Sequence, residues 1–256
     1  MRIDRVTMTG ADDRTDPLAL LDLSRRYPFV EWGILLSERR AGTARYPGPD
    51  WVRELLGISP YQEGARFAAH LCGTTMRRFV EAFSAPVETE QDGWLAPFGL
   101  GIAEYDSFFG RTQVNFDQGR EGFDEARLAT LIRRWKVRTR GDLITQHNAE
   151  NTDLWPVLQS ADRADGRGPR HQLLMDASGG RGVSPETWPR PIAGVPCGYA
   201  GGLGPDTILA DLDRIAETVG DGVIWIDMEG RLRDASDRFD LDRVETVLSA
   251  VADRVL

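Results

Sequence analysis

The sequence predicts an α/β fold, a single (β/α)8 TIM barrel spanning residues 1–256 with an irregular insertion at about 86–110. Three observations lead there. Short apolar runs alternate with segments of helical spacing along the whole chain, which is the rhythm of a parallel sheet. The runs number eight, with centres roughly 25–45 residues apart, as barrel units require. The chain has 256 residues, and one such domain typically takes about 250. The rival is an open doubly wound sheet, which has no need of eight units. The first turn of this chain also lacks the GxGxxG of that fold.

Strand one is RIDRVTMTG, residues 2–10. A polar turn leads to a helix starting at Asp16-Pro17, with the proline in the first helical position. Strand two is FVEWGILLS, residues 29–37, followed by the long basic loop ERRAGTARYPGP and a helix from Pro49. Strand three is RFAAHLCG, residues 66–73, with TTMRRFVEAFSA as its helix. Residues 86–110 show no clear period. They read as an extended or helical detour, with a lid or a dimer contact as open alternatives. Strand four is RTQVNF, residues 111–116, and its helix starts at Asp124. Strand five is DLITQHN, residues 142–148, with its helix in NTDLWPVLQSA. The last three strands open the stretches HQLLMDASGGRG, CGYAGGLGPDT and GVIWIDMEGRLRD. The chain closes on an amphipathic helix with Leu241, Val244, Val247 and Leu248 on its apolar side.

Composition narrows the function classes. The net charge of −9 argues against nucleic acid or an anionic membrane as a main partner. No apolar run approaches the roughly 18 residues that span a bilayer, and MRIDRVTMTG has no signal-type apolar core. The expected location is cytoplasmic. Cys72 and Cys197 form no metal-ligand spacing, and a disulfide is not expected in a reducing compartment. Lys136, the only lysine, lies at the close of a helical segment. A Schiff-base lysine belongs at the C-terminal end of a strand, so that chemistry has no candidate.

The candidate chemistry gathers in the last third. Asp176 ends an apolar run at the catalytic end of strand six. A carboxyl there can act as a general acid if burial raises its pKa, or it can simply cap a turn. Gly179-Gly180 and Gly201-Gly202 follow adjacent strands, and their turns would bring backbone N–H groups to one spot suited to a phosphate. Gly230 and Arg231 would complete that spot, since the loops after strands seven and eight are the usual phosphate site of this architecture. Arg231 could also lie in a surface ion pair. His171 begins its strand and reads as structural. His70 and His147 fall near the ends of strands three and five. They could join in a metal site, the mark of a metal-dependent aldolase or epimerase, or be hydrogen-bonded barrel residues.

Several of these segments resemble the phosphoribosylanthranilate isomerase family, of the ribulose-phosphate-binding barrels. DASGGRGVSPETW, ending in Trp188, is similar to the family's strand-six block, an aspartate before a GGTGxxFDW-like run. YAGGLGPDTI resembles LAGGLxPxNV, QVNF resembles QLHG with Asn115 in place of the histidine, and GTARYPGP resembles SPRYVSP. The likeness is loose over most of the chain and good over the last third. It implies that Asp176 is the general acid of an Amadori rearrangement in tryptophan biosynthesis. It also implies that Arg45 contacts the substrate's carboxylate and that no cofactor is needed, since the chemistry only moves protons. The chain departs from the pattern at two points. Thr9 stands where the family has its basic cysteine, and a threonine hydroxyl lacks the near-neutral pKa that proton transfer wants. DMEGRL replaces DVSSGVE, which puts Glu229 beside the expected phosphate site. Asp12, Cys72 and Glu229 are candidates for a substitute base. The implied partner is a small phosphorylated substrate, and the sequence is compatible with a homodimer. The alternatives are a barrel with a different phosphorylated substrate and a catalytically silent ligand-binding protein.

Overall fold

In the computed structural model, eight parallel strands close into a barrel in the order of the sequence, and the last strand pairs with the first. The structure describes residues 1–58, 64–84, 93–117, 121–149, 151, 153–164, 166–176 and 182–256. The strands are β1 (Arg2–Thr9), β2 (Val30–Leu36), β3 (Arg66–Leu71), β4 (Arg111–Val114), β5 (Asp142–His147), β6 (His171–Asp176), β7 (Cys197–Ala200) and β8 (Val223–Met228). The helices outside them are α1 (Pro17–Arg26), α2 (Pro49–Ile58), α3 (Gly73–Ser84), α4 (Ile102–Phe108), α5 (Glu125–Arg138), α6 (Trp155–Arg163), α7 (Ile208–Val219) and α8 (Leu241–Val251). Strands begin and end within about two residues of the sequence reading. Each runs out where the apolar alternation meets the polar or glycine turn.

Local chemistry fixes the helix starts. Asp16 accepts the Leu18 N–H at 2.9 Å ahead of Pro17. Asp124 accepts the Arg127 N–H at 2.6 Å, and Asp240 accepts those of Asp242 and Arg243. An aspartate in that position satisfies N–H groups that have no partner inside the helix. Among the described residues no helix lies between β6 and β7, and α4 is an extra helix between β3 and β4. None of the described helices is long and apolar enough to cross a membrane.

The described part of the 86–110 stretch, from Gly93, is helical and belongs to the core; residues 86–92 lie outside the described residues. Trp94 and Tyr105 lie edge-on at 5.0 Å, and Trp94 meets Phe79 of α3 at 5.0 Å. Phe79 in turn meets Trp135 of α5 at 5.4 Å. Phe108 stacks on Phe67 at the start of β3, at the end of the barrel away from the strand C-termini. These residues form part of the shell rather than a cover over the mouth.

The bore of the barrel is polar at its lower end. Arg111 of β4 pairs with Glu31 of β2, both about 1% exposed. Its guanidinium also donates to Thr7 Oγ1 and to Gln172 Oε1, each at 3.0 Å, and lies 4.1 Å above the Trp225 ring. Burial opposes the Glu31 charge, but Arg111 outweighs it and holds that carboxyl below its ordinary range. Ile144, Leu174 and Trp225 make a small apolar layer in the bore, separate from the main core between sheet and helices. Above that layer the bore opens towards the C-terminal ends of the strands.

Candidate active site

A cavity of about 480 Å³ occupies that upper end. Asp176, Arg45, Asn115, Gly201, Gly202, Gly230 and Arg231 all line it, so the structure brings together the described residues that the sequence singled out. Gly179 and Gly180 lie outside the described residues. Thr9 reaches the site through a side-chain hydrogen bond: its hydroxyl donates to Asp227 Oδ1 at 2.7 Å.

Asp227 is a candidate site residue that the sequence reading does not single out. It ends the apolar run VIWID of β8 as Asp176 ends LLMD of β6, and both are buried and face the cavity. The signal is present in the sequence as an acid at the end of an apolar run. Burial pushes the Asp227 carboxyl up to about 7, helped by the charges of Glu31 and Asp176 and opposed by Thr9 and Arg111. Gln146 of β5 donates to Asp176 Oδ2 at 3.3 Å.

Room for this arrangement comes from β2. A Cβ on Gly33 would fall 2.1 Å from Thr9 Oγ1 and 2.9 Å from the His70 ring. Glycine there lets the Thr9 hydroxyl and the His70 imidazole enter the bore side by side. Burial lowers the His70 imidazole to about 4, so it is neutral at physiological pH. Gln113 of β4 donates through Nε2 to Asn115 Oδ1 at 2.8 Å, and Asn115 donates to Cys72 Sγ at 3.5 Å.

The three substitute bases considered from sequence are all otherwise engaged. Asp12 is buried, which opposes its charge. Hydrogen bonds from Arg14, the Arg45 N–H and Arg233 nonetheless hold it at about 2, too acidic to take a proton near neutrality. Burial pushes the Cys72 thiol up to about 11. Glu229 accepts from Arg45 Nη1 at 2.9 Å. That contact matches the Glu229 charge with a guanidinium. Arg45 makes a second contact to Asp237 at 3.2 Å, and its backbone is held at φ +75 by an N–H bond to Asp12.

The metal site imagined for His70 and His147 does not form. His70 faces the bore, in register with Gln113 of β4. His147 is in register with Met175, which belongs to the core between sheet and helices, while its neighbour Gln146 faces the cavity. Successive strand residues point to opposite faces, so one position of offset separates the two imidazoles by the wall of the barrel. No group of three or more candidate metal ligands occurs among the described residues. His171 is structural: its ring lies 2.8 Å from Thr145 Oγ1 and 2.8 Å from Gln159 Nε2. Lys136 is buried on α5, with Nζ 3.2 Å from Asp162 of α6.

The glycine turns form the other side of the mouth. Gly202 has φ +68, and a Cβ there would lie 2.4 Å from the Ser184 N, so the β7 turn closes tightly on the strand-six loop. Gly230 opens a short 3-10 turn after β8, and Arg231 beside it is exposed at the rim.

A closed parallel barrel with its polar side chains gathered at the strand C-termini defines the (β/α)8 TIM-barrel class. Comparison with solved structures agrees. The chain is similar to a monomeric form of phosphoribosylanthranilate isomerase from Thermotoga maritima, with a TM-score of 0.52 and 11% identity over 97% of this chain and 98% of that one. It is also similar to phospho-2-dehydro-3-deoxyheptonate aldolase from Thermotoga maritima, with a TM-score of 0.52 and 10% identity over 98% of this chain and 69% of that one. At such identities the likeness is one of fold. No family model matches the chain, and no curated protein matches it.

Proposed function

We propose that this protein is an acid/base isomerase of a small phosphorylated sugar derivative, working by an Amadori-type rearrangement. The observation that carries the reading is the pair Asp176 and Asp227. These are two buried carboxyls from β6 and β8, facing one cavity beside the β7 and β8 glycine turns. Two carboxyls facing one site can divide the roles of acid and base between them. One protonated and one ionised carboxyl is the state such a reaction needs.

Backbone N–H groups of the glycine turns, with Arg231, would hold the phosphate. Asp176 would protonate the ring oxygen of the sugar, opening the ring to an iminium ion. Ionised Asp227 would then remove the proton from the adjacent carbon to give the enol. Loss of the enol proton and protonation at the first carbon give the ketone. A base poised near 7 suits this step, because it is ionised in good part at neutral pH and still basic. Thr9 then acts by orienting the base rather than by being one.

The test is purified protein with freshly made phosphoribosylanthranilate, following loss of anthranilate fluorescence. Turnover should fall by about 10²–10⁴ in Asp176→Asn and in Asp227→Asn. The wild-type rate should rise with pH through about 7 as Asp227 ionises, and that rise should vanish in Asp227→Asn. Absence of turnover in folded wild-type protein rejects this substrate. One observation favours a second reading, a barrel for a different phosphorylated ligand. The guanidinium of Arg45, expected to receive a substrate carboxylate, is already matched by Glu229 and Asp237.

A further inference from the structure

Two polar atoms in the cavity wall have no partner. His70 Nε2 and Gln113 Oε1 are buried, their residues are each 2% exposed, and neither atom has a hydrogen bond among the described residues. Both side chains line the cavity, and they are register neighbours on adjacent strands. The bond from Gln113 Nε2 to Asn115 fixes the amide, which leaves Oε1 as an acceptor. A buried polar group without a partner is costly, and native structures rarely leave two together without a ligand or water to meet them.

Their place in the ring is informative. In a closed barrel of eight strands in sequence order, β3 stands opposite β7 and β4 opposite β8. His70 and Gln113 therefore face the glycine turns across the mouth. A ligand whose phosphate sits on those turns puts its far end against this pair. The imidazole is neutral and the amide uncharged, so a charged end would be buried there without a counter-charge. A hydroxyl fits both: it donates to Gln113 Oε1 and shares a hydrogen bond with His70 Nε2, reproducing the bonds of any water it displaces.

We propose that His70 and Gln113 form a subsite for a hydroxyl of the ligand remote from its phosphate, so that the part of the phosphorylated sugar derivative seated here is hydroxylated and uncharged. The assignment rests on the reading of the glycine turns as the phosphate site. Titration calorimetry with three probes separates the two ideas: ribitol 5-phosphate, n-pentyl phosphate of equal carbon chain length, and inorganic phosphate. Wild-type protein should bind ribitol 5-phosphate tenfold or more tighter than pentyl phosphate, a ratio set by buried polar groups left unpaired. Gln113→Leu and His70→Phe should each shrink that ratio about tenfold and leave inorganic phosphate binding unchanged. Equal binding of the two esters by the wild type, or a preference kept in both folded variants, overturns the subsite alone. Failure of all three probes to bind overturns the phosphate reading and the subsite with it. Should neither variant fold, the ¹⁵N shift of the His70 ring decides. It should move with ribitol 5-phosphate and not with pentyl phosphate, and an unmoved ring overturns the proposal.

Discussion

Asp227 is placed where a carboxyl is least at ease, and stability should register it. Its folded pKa of about 7 lies above the ordinary 3.8, so the folded state holds the proton more tightly than the unfolded chain. The associated stability is fully present below about pH 4 and is lost as pH rises through about 7. The upper bound on that loss is on the order of 4 kcal/mol. Asp227→Asn removes the ionisation, so its melting temperature should exceed that of the wild type at pH 8 and match it near pH 4. A variant no more stable than wild type at pH 8 would show that the charge is better solvated than the burial suggests. Asp176 was legible in the sequence because an acid closing an apolar run has few other places to go. Asp227 has the same signature, an acid closing the apolar run of β8. The role of Thr9 was not legible at all, because its partner lies 218 residues away.

At the scale of the element, strands were readable and faces were not. The strands β3 and β5 were legible, but whether the histidine near the end of each points into the bore depends on a single position of register. His70 and His147 fell on opposite sides of that choice. Turns behave similarly. The glycines after β7 and β8 look alike in sequence, whereas the structure separates one that needs glycine from one that does not. Gly202→Ala would meet both a left-handed backbone and the Ser184 N at 2.4 Å. It should cost about 1–3 kcal/mol and weaken phosphate binding. Gly230→Ala meets nothing within 4 Å and should shift stability by no more than about 0.5 kcal/mol. Chemical denaturation of the two variants side by side checks the contrast, and equal losses would refute it.

At the scale of the whole molecule, the count of eight units could be read from one sequence because each unit is local. The stretch before β4 could not, because its aromatic residues pack as much on partners from α3 and α5 as on one another, which leaves no single period. Trp94 is the test of that packing: it is buried between Phe79 and Tyr105. Trp94→Ala should cost about 3–5 kcal/mol and leave ligand affinity at the mouth unchanged in protein that remains folded. An affinity loss alongside would mean that the shell and the mouth are coupled. The bond between Thr9 and Asp227 has a consequence of its own, for it joins the first strand to the last. In the proposed reaction the base, Asp227, is delivered by the final strand of the ring. A nascent chain still emerging from the ribosome therefore lacks its base until β8 is made, and a barrel cut between β4 and β5 parts Thr9 from the carboxyl it orients. Competence would then appear only on closure of the seam, and two complementary fragments should be inert separately and recover function on mixing.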